Sequence, residues 1–243
     1  IDLEMSFVDV DGLIEMGAYL QTFAMFAGSG GPAGEPYQHV MDALQKSYTL
    51  GLPIYRGAMP EMPPTDARGI LAIEGGEALQ GSLERLDEFA NEGVRMITLT
   101  WNFENEIGTA AAVSPEGGIK DFGKRLIGRM NERGVLCDVS HLNEAGFWDV
   151  MELTALPPVA SHSCVRELCN HRRNLWRDQV RAIIDRQGFI GVNFYRAHFL
   201  FFCSGYGESS ACKRGCKCCG CKKHTCVFFS CFHTYYPFCG SCV

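Results

Sequence analysis

The sequence predicts an α/β fold built on a parallel sheet, and three observations predict it. Over residues 1–200, short runs rich in Val, Ile, Leu, Phe and Thr alternate with longer segments of helical period. The short runs are apolar at most positions, as strands covered by helices on their faces must be. Each strand-plus-helix unit is about 25–40 residues long, the scale of a βαβ crossover.

Six runs read as strands: YLQTFAMFA (19–27), GILAIE (69–74), RMITLTW (95–101), GVLCDVS (134–140), PPVAS (157–161) and GFIGVNFY (188–195). Between them the period changes. PYQHVMDALQKSYTL (36–50) sets Val40, Leu44 and Tyr48 on one face. EALQGSLERLDEFANEG (77–93) does so with Leu79, Leu83, Leu86 and Phe89, and Gly93 ends it. IKDFGKRLIGRMNERG (119–134) repeats the design with Phe122, Leu126 and Met130 before Gly134. Glycine just past a helix accommodates a left-handed backbone there. NEAGFWDVMEL (143–153) and RDQVRAIIDRQG (177–188) are the last two helices. On this pattern alone an open doubly wound sheet and a (β/α)8 barrel fit equally. No G-x-G-x-x-G follows a strand and no G-x-x-x-x-G-K-[ST] occurs, so neither nucleotide-binding fingerprint is present. GSGGPAG (28–34) reads as a loop.

The 243 residues are 47% hydrophobic and 21% charged, enough for a sizeable core. A net charge of −6 argues against a nucleic-acid partner. No apolar run reaches the roughly 18 residues that a membrane-spanning helix needs. The opening IDLEMSFVDVDG has no basic segment of the kind that begins a signal peptide.

In both α/β architectures chemistry gathers beyond the C-terminal ends of the strands. Those ends carry Glu74, Trp101 with Asn102 and Asn105, His141, His162, and Asn193 with Tyr195. A lone His after a strand is as a rule a capping or satisfied polar residue. Two of them with a Glu, all in equivalent positions, also make a set of metal ligands. Asp138 precedes His141 by three residues, and Ser140, Ser161 and Ser163 stand ready as imidazole partners or as helix caps. The arginine pair of HRRNL (171–175) reads as a carboxylate-recognition site or as a solvated basic loop.

Taken in order, GILAIEGGEAL, GVRMITLTWNFEN, FGKRLIGRMNERGVLCDVSHL, PPVASHSCVRELCNHRRNL and GFIGVNFY resemble the renal (membrane) dipeptidase family of zinc peptidases over about residues 69–195. The resemblance implies a (β/α)8 TIM-type barrel with two zinc ions per site and dipeptides as substrates. It implies Glu74 as the carboxylate bridging both metals, His141 and His162 as ligands of the second metal, and Arg173 as the contact to the substrate carboxylate. Asn105 would border the substrate. LTWN, with Trp101, is similar to the bacterial-type branch, for which a cytoplasmic location and a homodimer are compatible expectations. The family's His-x-Asp pair of the first strand and its SDFDG-like block of the eighth do not occur in this sequence. The six strands would then be the second to seventh of an incomplete barrel. The chain would carry at most a partial zinc site and have little or no peptidase activity. Another barrel-type amide hydrolase, or a non-catalytic metal-binding protein, are the competing readings.

Of 13 cysteines, only Cys137, Cys164 and Cys169 precede residue 200. The other ten crowd into 201–243, an irregular Cys-rich tail read as separate from the barrel unit of 1–200, with a frame-shift product as the first reading and a disulfide-rich module or a metal–thiolate site as the alternatives. CKCCGCKKHTC (216–226) has the density of a metal–thiolate site without a recognised finger spacing.

Overall fold

The computed structural model describes residues 10–15, 17, 19–28, 35–57 and 66–195. Six strands form one sheet: β1 (Tyr19–Phe26), β2 (Ala67–Glu74), β3 (Val94–Thr98), β4 (Leu136–Asp138), β5 (Val159–Ala160) and β6 (Phe189–Ile190). Their spatial order is their chain order, and every neighbouring pair is parallel. A doubly wound sheet would reverse its order at a switch point. Here there is no reversal, and the sheet curls into a six-stranded half-barrel. Among the described residues the helices are α1 (Val10–Glu15), α2 (Glu35–Ser47), α3 (Leu83–Asn91), α4 (Asp121–Arg133), α5 (Glu144–Leu153) and α6 (Arg177–Asp185).

Period-2 alternation along the strands creates two cores. On the outer face Phe23, Met25, Leu71, Ile73 and Ile97 pack against Leu44, Leu86, Phe89, Leu126 and Phe147 of the helices. Leu44, Leu71, Ile73, Leu86, Phe89, Ile97 and Leu126 are all fully buried. Each such side chain contributes about 1.5–3 kcal/mol on leaving water. On the inner face Ala24, Ala72, Met96, Leu136 and Val159 form a smaller layer. Register places Ala72 beside Met96 and Met96 beside Leu136, so this layer runs across the strands at one height, as in a barrel interior.

All six sequence-read strands are present, with β3 to β6 shorter than the runs that announced them. The helix expected over 77–93 is two elements, a 3₁₀ turn at Gly76–Leu79 and α3. Gln80 and Gly81 take left-handed conformations between them (φ 48° and 72°), which no continuous helix allows. Ser82 then caps α3, its Oγ accepting from the Arg85 N–H at 3.3 Å. Gly93 and Gly134 do end their helices with positive φ, 101° and 66°. α1 has no counterpart in the sequence reading. Residues 29–34 of the GSGGPAG run and the Cys-rich tail lie outside the described residues. Among the described residues no helix is long and apolar enough to cross a membrane.

Candidate metal centre

Glu74 is the last residue of β2 and pairs in register with Thr98, which pairs with Asp138. Glu74 lies two residues beyond Ala72, so its side chain enters the half-barrel on the same face, just past the apolar layer. It is 5% exposed. The chain then turns through Gly75 and Gly76. A Cβ on Gly76 would sit 2.2 Å from Ile107 Cδ1 and 2.5 Å from the Leu99 carbonyl oxygen. Only a glycine lets the β2 exit lie this close to the β3 exit.

His141 and His162 follow β4 and β5. His141 has φ 71°, an uncommon conformation for a residue with a Cβ, and the turn it makes aims its ring back over the strand ends. Two residues on, Asn143 locks that turn. Its Oδ1 accepts from the Gly146 N–H at 2.8 Å as the cap of α5, and its Nδ2 donates to the carbonyls of Ser114 and Glu116. The result is a tight triangle. His141 Nε2 and His162 Nε2 are 2.9 Å apart, and Glu74 Oε1 lies 3.3 Å from the first and 3.4 Å from the second. This is a set of three possible ligands whose donor atoms all fall within 4.8 Å of one another.

The outer edges of the two rings are also held. His141 Nδ1 meets Asn102 Oδ1 at 3.0 Å, and His162 Nδ1 meets Ser161 Oγ at 2.7 Å. Ser161 Oγ donates in turn to Asp138 Oδ2 at 2.5 Å. An imidazole that donates from Nδ1 presents a lone pair at Nε2. With Nδ1 protonated on both rings, two Nε2 lone pairs and a carboxylate oxygen would point at one place, an arrangement that a cation stabilises. Tetrahedral zinc with bonds of about 2.0–2.2 Å spaces its ligand atoms about 3.3 Å apart, close to the distances here. Glu74 Oε2 is buried and has no hydrogen-bond partner, which a metal would also relieve. The residues fit the ion.

Electrostatics give the same picture. Burial, and secondarily the charge of Asp138, push the Glu74 carboxyl up to about 7, with Arg173 acting the other way. Burial pulls the Arg173 guanidinium down to about 10, against the favourable charges of Glu74 and Asp138. Arg173 is 7% exposed, and its guanidinium has no hydrogen-bond or ion-pair partner among the described residues. It lines a cavity of about 280 Å³ with Ser163, Arg166 and Arg172. The Trp101 ring lies 4.9 Å from that of Phe26 and 6.1 Å from that of His141.

Of the residues singled out in the sequence, Glu74, His141 and His162 come together, and Arg173 lies within electrostatic reach of Glu74. Asn105 is engaged by its own loop and by Glu77, whose Oε2 accepts from its Nδ2 at 3.3 Å. Its Nδ2 donates to the Leu99 carbonyl at 2.9 Å and its Oδ1 accepts from the N–H groups of Ile107 and Gly108. The sequence reading left Asn102 without a role and did not see Asp138 as a hub. Position at a strand end was the only signal for Asn102. Asp138 alternating with His141 was the signal for the hub.

Residues 64–223 match the family described as membrane dipeptidase (peptidase family M19). The chain belongs to this family. The match runs past residue 200, where the sequence reading ended the barrel unit. An Acinetobacter calcoaceticus protein described as an uncharacterized protein in the PQQ-III 3' region is 37% identical over 131 residues, covering 51% of this chain and 42% of that protein. A Schizosaccharomyces pombe protein described as an uncharacterized dipeptidase is 34% identical over 130 residues, covering 52% of this chain and 31% of that one. The chain thus spans less than half the length of these curated relatives. Among solved structures, a metallo peptidase from Rhodobacter sphaeroides, liganded with a phosphinate mimic of the dipeptide L-Ala-D-Ala, superposes with a TM-score of 0.67 at 23% identity. The overlap covers 77% of this chain and 65% of that one. A metallo peptidase described as dipeptidase AC gives 0.65 at 24% identity, over 75% of this chain and 63% of the other. Both likenesses establish the fold.

Proposed function

We propose that this chain is a zinc-dependent dipeptidase unit in which Glu74, His141 and His162 hold one zinc ion and Arg173 takes the substrate carboxylate. The observation that carries the reading is the convergence of one carboxylate oxygen and two imidazole nitrogens at the C-terminal ends of three neighbouring strands. When bound, zinc supplies Lewis-acid polarisation of a peptide carbonyl and a water acidic enough to attack it near neutral pH. The chain's own residues do the rest. Burial of Glu74 and His141 keeps competing water from the ligands. The partnerless guanidinium of Arg173 suits the C-terminal carboxylate of a short peptide, a pairing that gains strength in a desolvated setting. Holding the substrate by its terminal carboxylate selects for dipeptides, because a longer chain would carry that group out of reach. Asn105 keeps the loop after β3 in the shape that borders the substrate.

The six strands correspond, in this reading, to the second to seventh of the family's eight. The described residues supply ligands for one ion, and the family's second ion calls for ligands that are not among them. Turnover by the 243-residue chain is accordingly expected to be slow, and ligand binding is the sharper test. A phosphinate dipeptide mimic titrated into the zinc-loaded chain should bind, and binding should vanish on chelation and in Glu74→Gln. A zinc-loaded chain that ignores the mimic, or binding indifferent to chelation, would overturn the assignment.

A further inference from the structure

The carboxylate of Asp138, at the end of β4, shares the Ser161 hydroxyl with the His162 ring. It is fully buried and accepts four hydrogen bonds. Oδ1 takes the backbone N–H groups of Ser140 and Ser161, each at 3.0 Å. Oδ2 takes the hydroxyls of Thr98 at 2.6 Å and Ser161 at 2.5 Å. An ionised carboxylate can only accept, so it fixes the direction of every bond around it. The single proton of the Ser161 hydroxyl goes to Asp138. Ser161 Oγ is left with lone pairs alone toward His162 Nδ1, 2.7 Å away, and can only accept there. Ser140 Oγ completes the cradle by accepting the His162 backbone N–H at 3.1 Å.

We propose that Ser161, oriented by Asp138, is a positioning residue that holds His162 as its Nδ1–H tautomer and so makes Nε2 the ligating nitrogen. The proposal rests on the metal-site reading above for its consequence, and on hydrogen-bond direction alone for its cause. It gives the strand-end Asp138 a task that neither the metal nor the substrate requires directly. It also separates the two histidines. His141 takes its orientation from the amide of Asn102, in a different loop. His162 takes its own from the strand β4 carboxylate through one hydroxyl.

Three variants of the full chain test this. Ser161→Ala removes the acceptor, and Ser161→Thr restores it. Asp138→Asn keeps the shape but reverses the polarity. Its Oδ1 can still accept the two backbone N–H groups, while its Nδ2 donates to the Ser161 hydroxyl, which is then free to donate to His162. Long-range ¹H–¹⁵N correlation of the metal-free protein, at a pH where imidazole is neutral, reads the tautomer directly. Competition with a chelator reads zinc affinity. The expected result is Nδ1–H His162 in the parent and in Ser161→Thr, and a shift toward Nε2–H in Ser161→Ala and Asp138→Asn. Zinc affinity should fall about 10- to 100-fold in the latter two, the range typical of lost partners behind a ligating His. Circular dichroism checks that each variant is folded, and either altered variant alone suffices. An unchanged tautomer with zinc affinity within twofold of the parent overturns the proposal. A parent that binds no zinc sinks the metal-site reading instead, and the tautomer measurement still decides the role of Ser161.

Discussion

Glu74→Gln should flatten the pH dependence of stability in the metal-free chain, and the size of the effect follows from the burial of this one carboxyl. Its folded-state value lies near 7, against an ordinary 4.5. Below about pH 4.5 the group is protonated in both folded and unfolded chains and no penalty exists. As pH rises the unfolded chain ionises first, and stability is lost until the folded chain ionises near 7. At ~1.4 kcal/mol per pH unit, the gap amounts to about 3 kcal/mol. The Gln side chain cannot ionise, so this slope should be absent from the variant. With an m-value of ~2 kcal/mol per molar, the difference is about 1–2 M in the midpoint of urea unfolding. Unfolding curves of the parent and variant between pH 4.5 and 7.5, both stripped with chelator, give the measurement. Saturating zinc should abolish most of the parent's decline, because a bound cation favours the ionised carboxylate. Parallel curves for the two proteins across the whole range would refute the reasoning.

Three further outcomes are expected. Arg173→Lys should weaken binding of a phosphinate dipeptide mimic about tenfold, since a lysine cannot reproduce the planar two-pronged grip on a carboxylate, while leaving zinc stoichiometry unchanged in calorimetry. Gly76→Ala should lower stability by about 1–3 kcal/mol in urea unfolding, because its Cβ meets the Leu99 carbonyl oxygen at 2.5 Å and backbone cannot move aside as a side chain can. Asn102→Ala should reduce zinc affinity about tenfold with little change in melting temperature, since it removes the partner of His141 Nδ1 at the rim and leaves the core intact.

The architecture was legible because both faces of each strand are covered, which leaves apolar runs in the sequence. Gly93 and Gly134 punctuated the helices between them. Choice between an open sheet and a barrel was not legible in the pattern, since strand order is a property of the pairing and not of any one run. The split of the 77–93 helix was hidden because Leu79, Leu86 and Phe89 keep a common buried side across the break. At the site, Glu74, His141 and His162 stood out by position, each at the end of its strand. What holds them did not. Asn102 reaches His141 across 39 residues, and the positive φ of His141 leaves no mark in residue type. Asp138 looked like one more strand-end polar group until its four donors were seen together.

The central claim is that the imidazoles of His141 and His162, with Glu74, hold the metal. X-ray absorption at the zinc edge, on the full chain loaded with one equivalent of zinc, tests it most directly. The account predicts a first shell of nitrogen and oxygen at about 2.0–2.2 Å with imidazole scattering, lost in His141→Ala and His162→Ala. A sulfur shell near ~2.3 Å, unchanged by either substitution, would instead give the metal to cysteine thiolates and contradict the account.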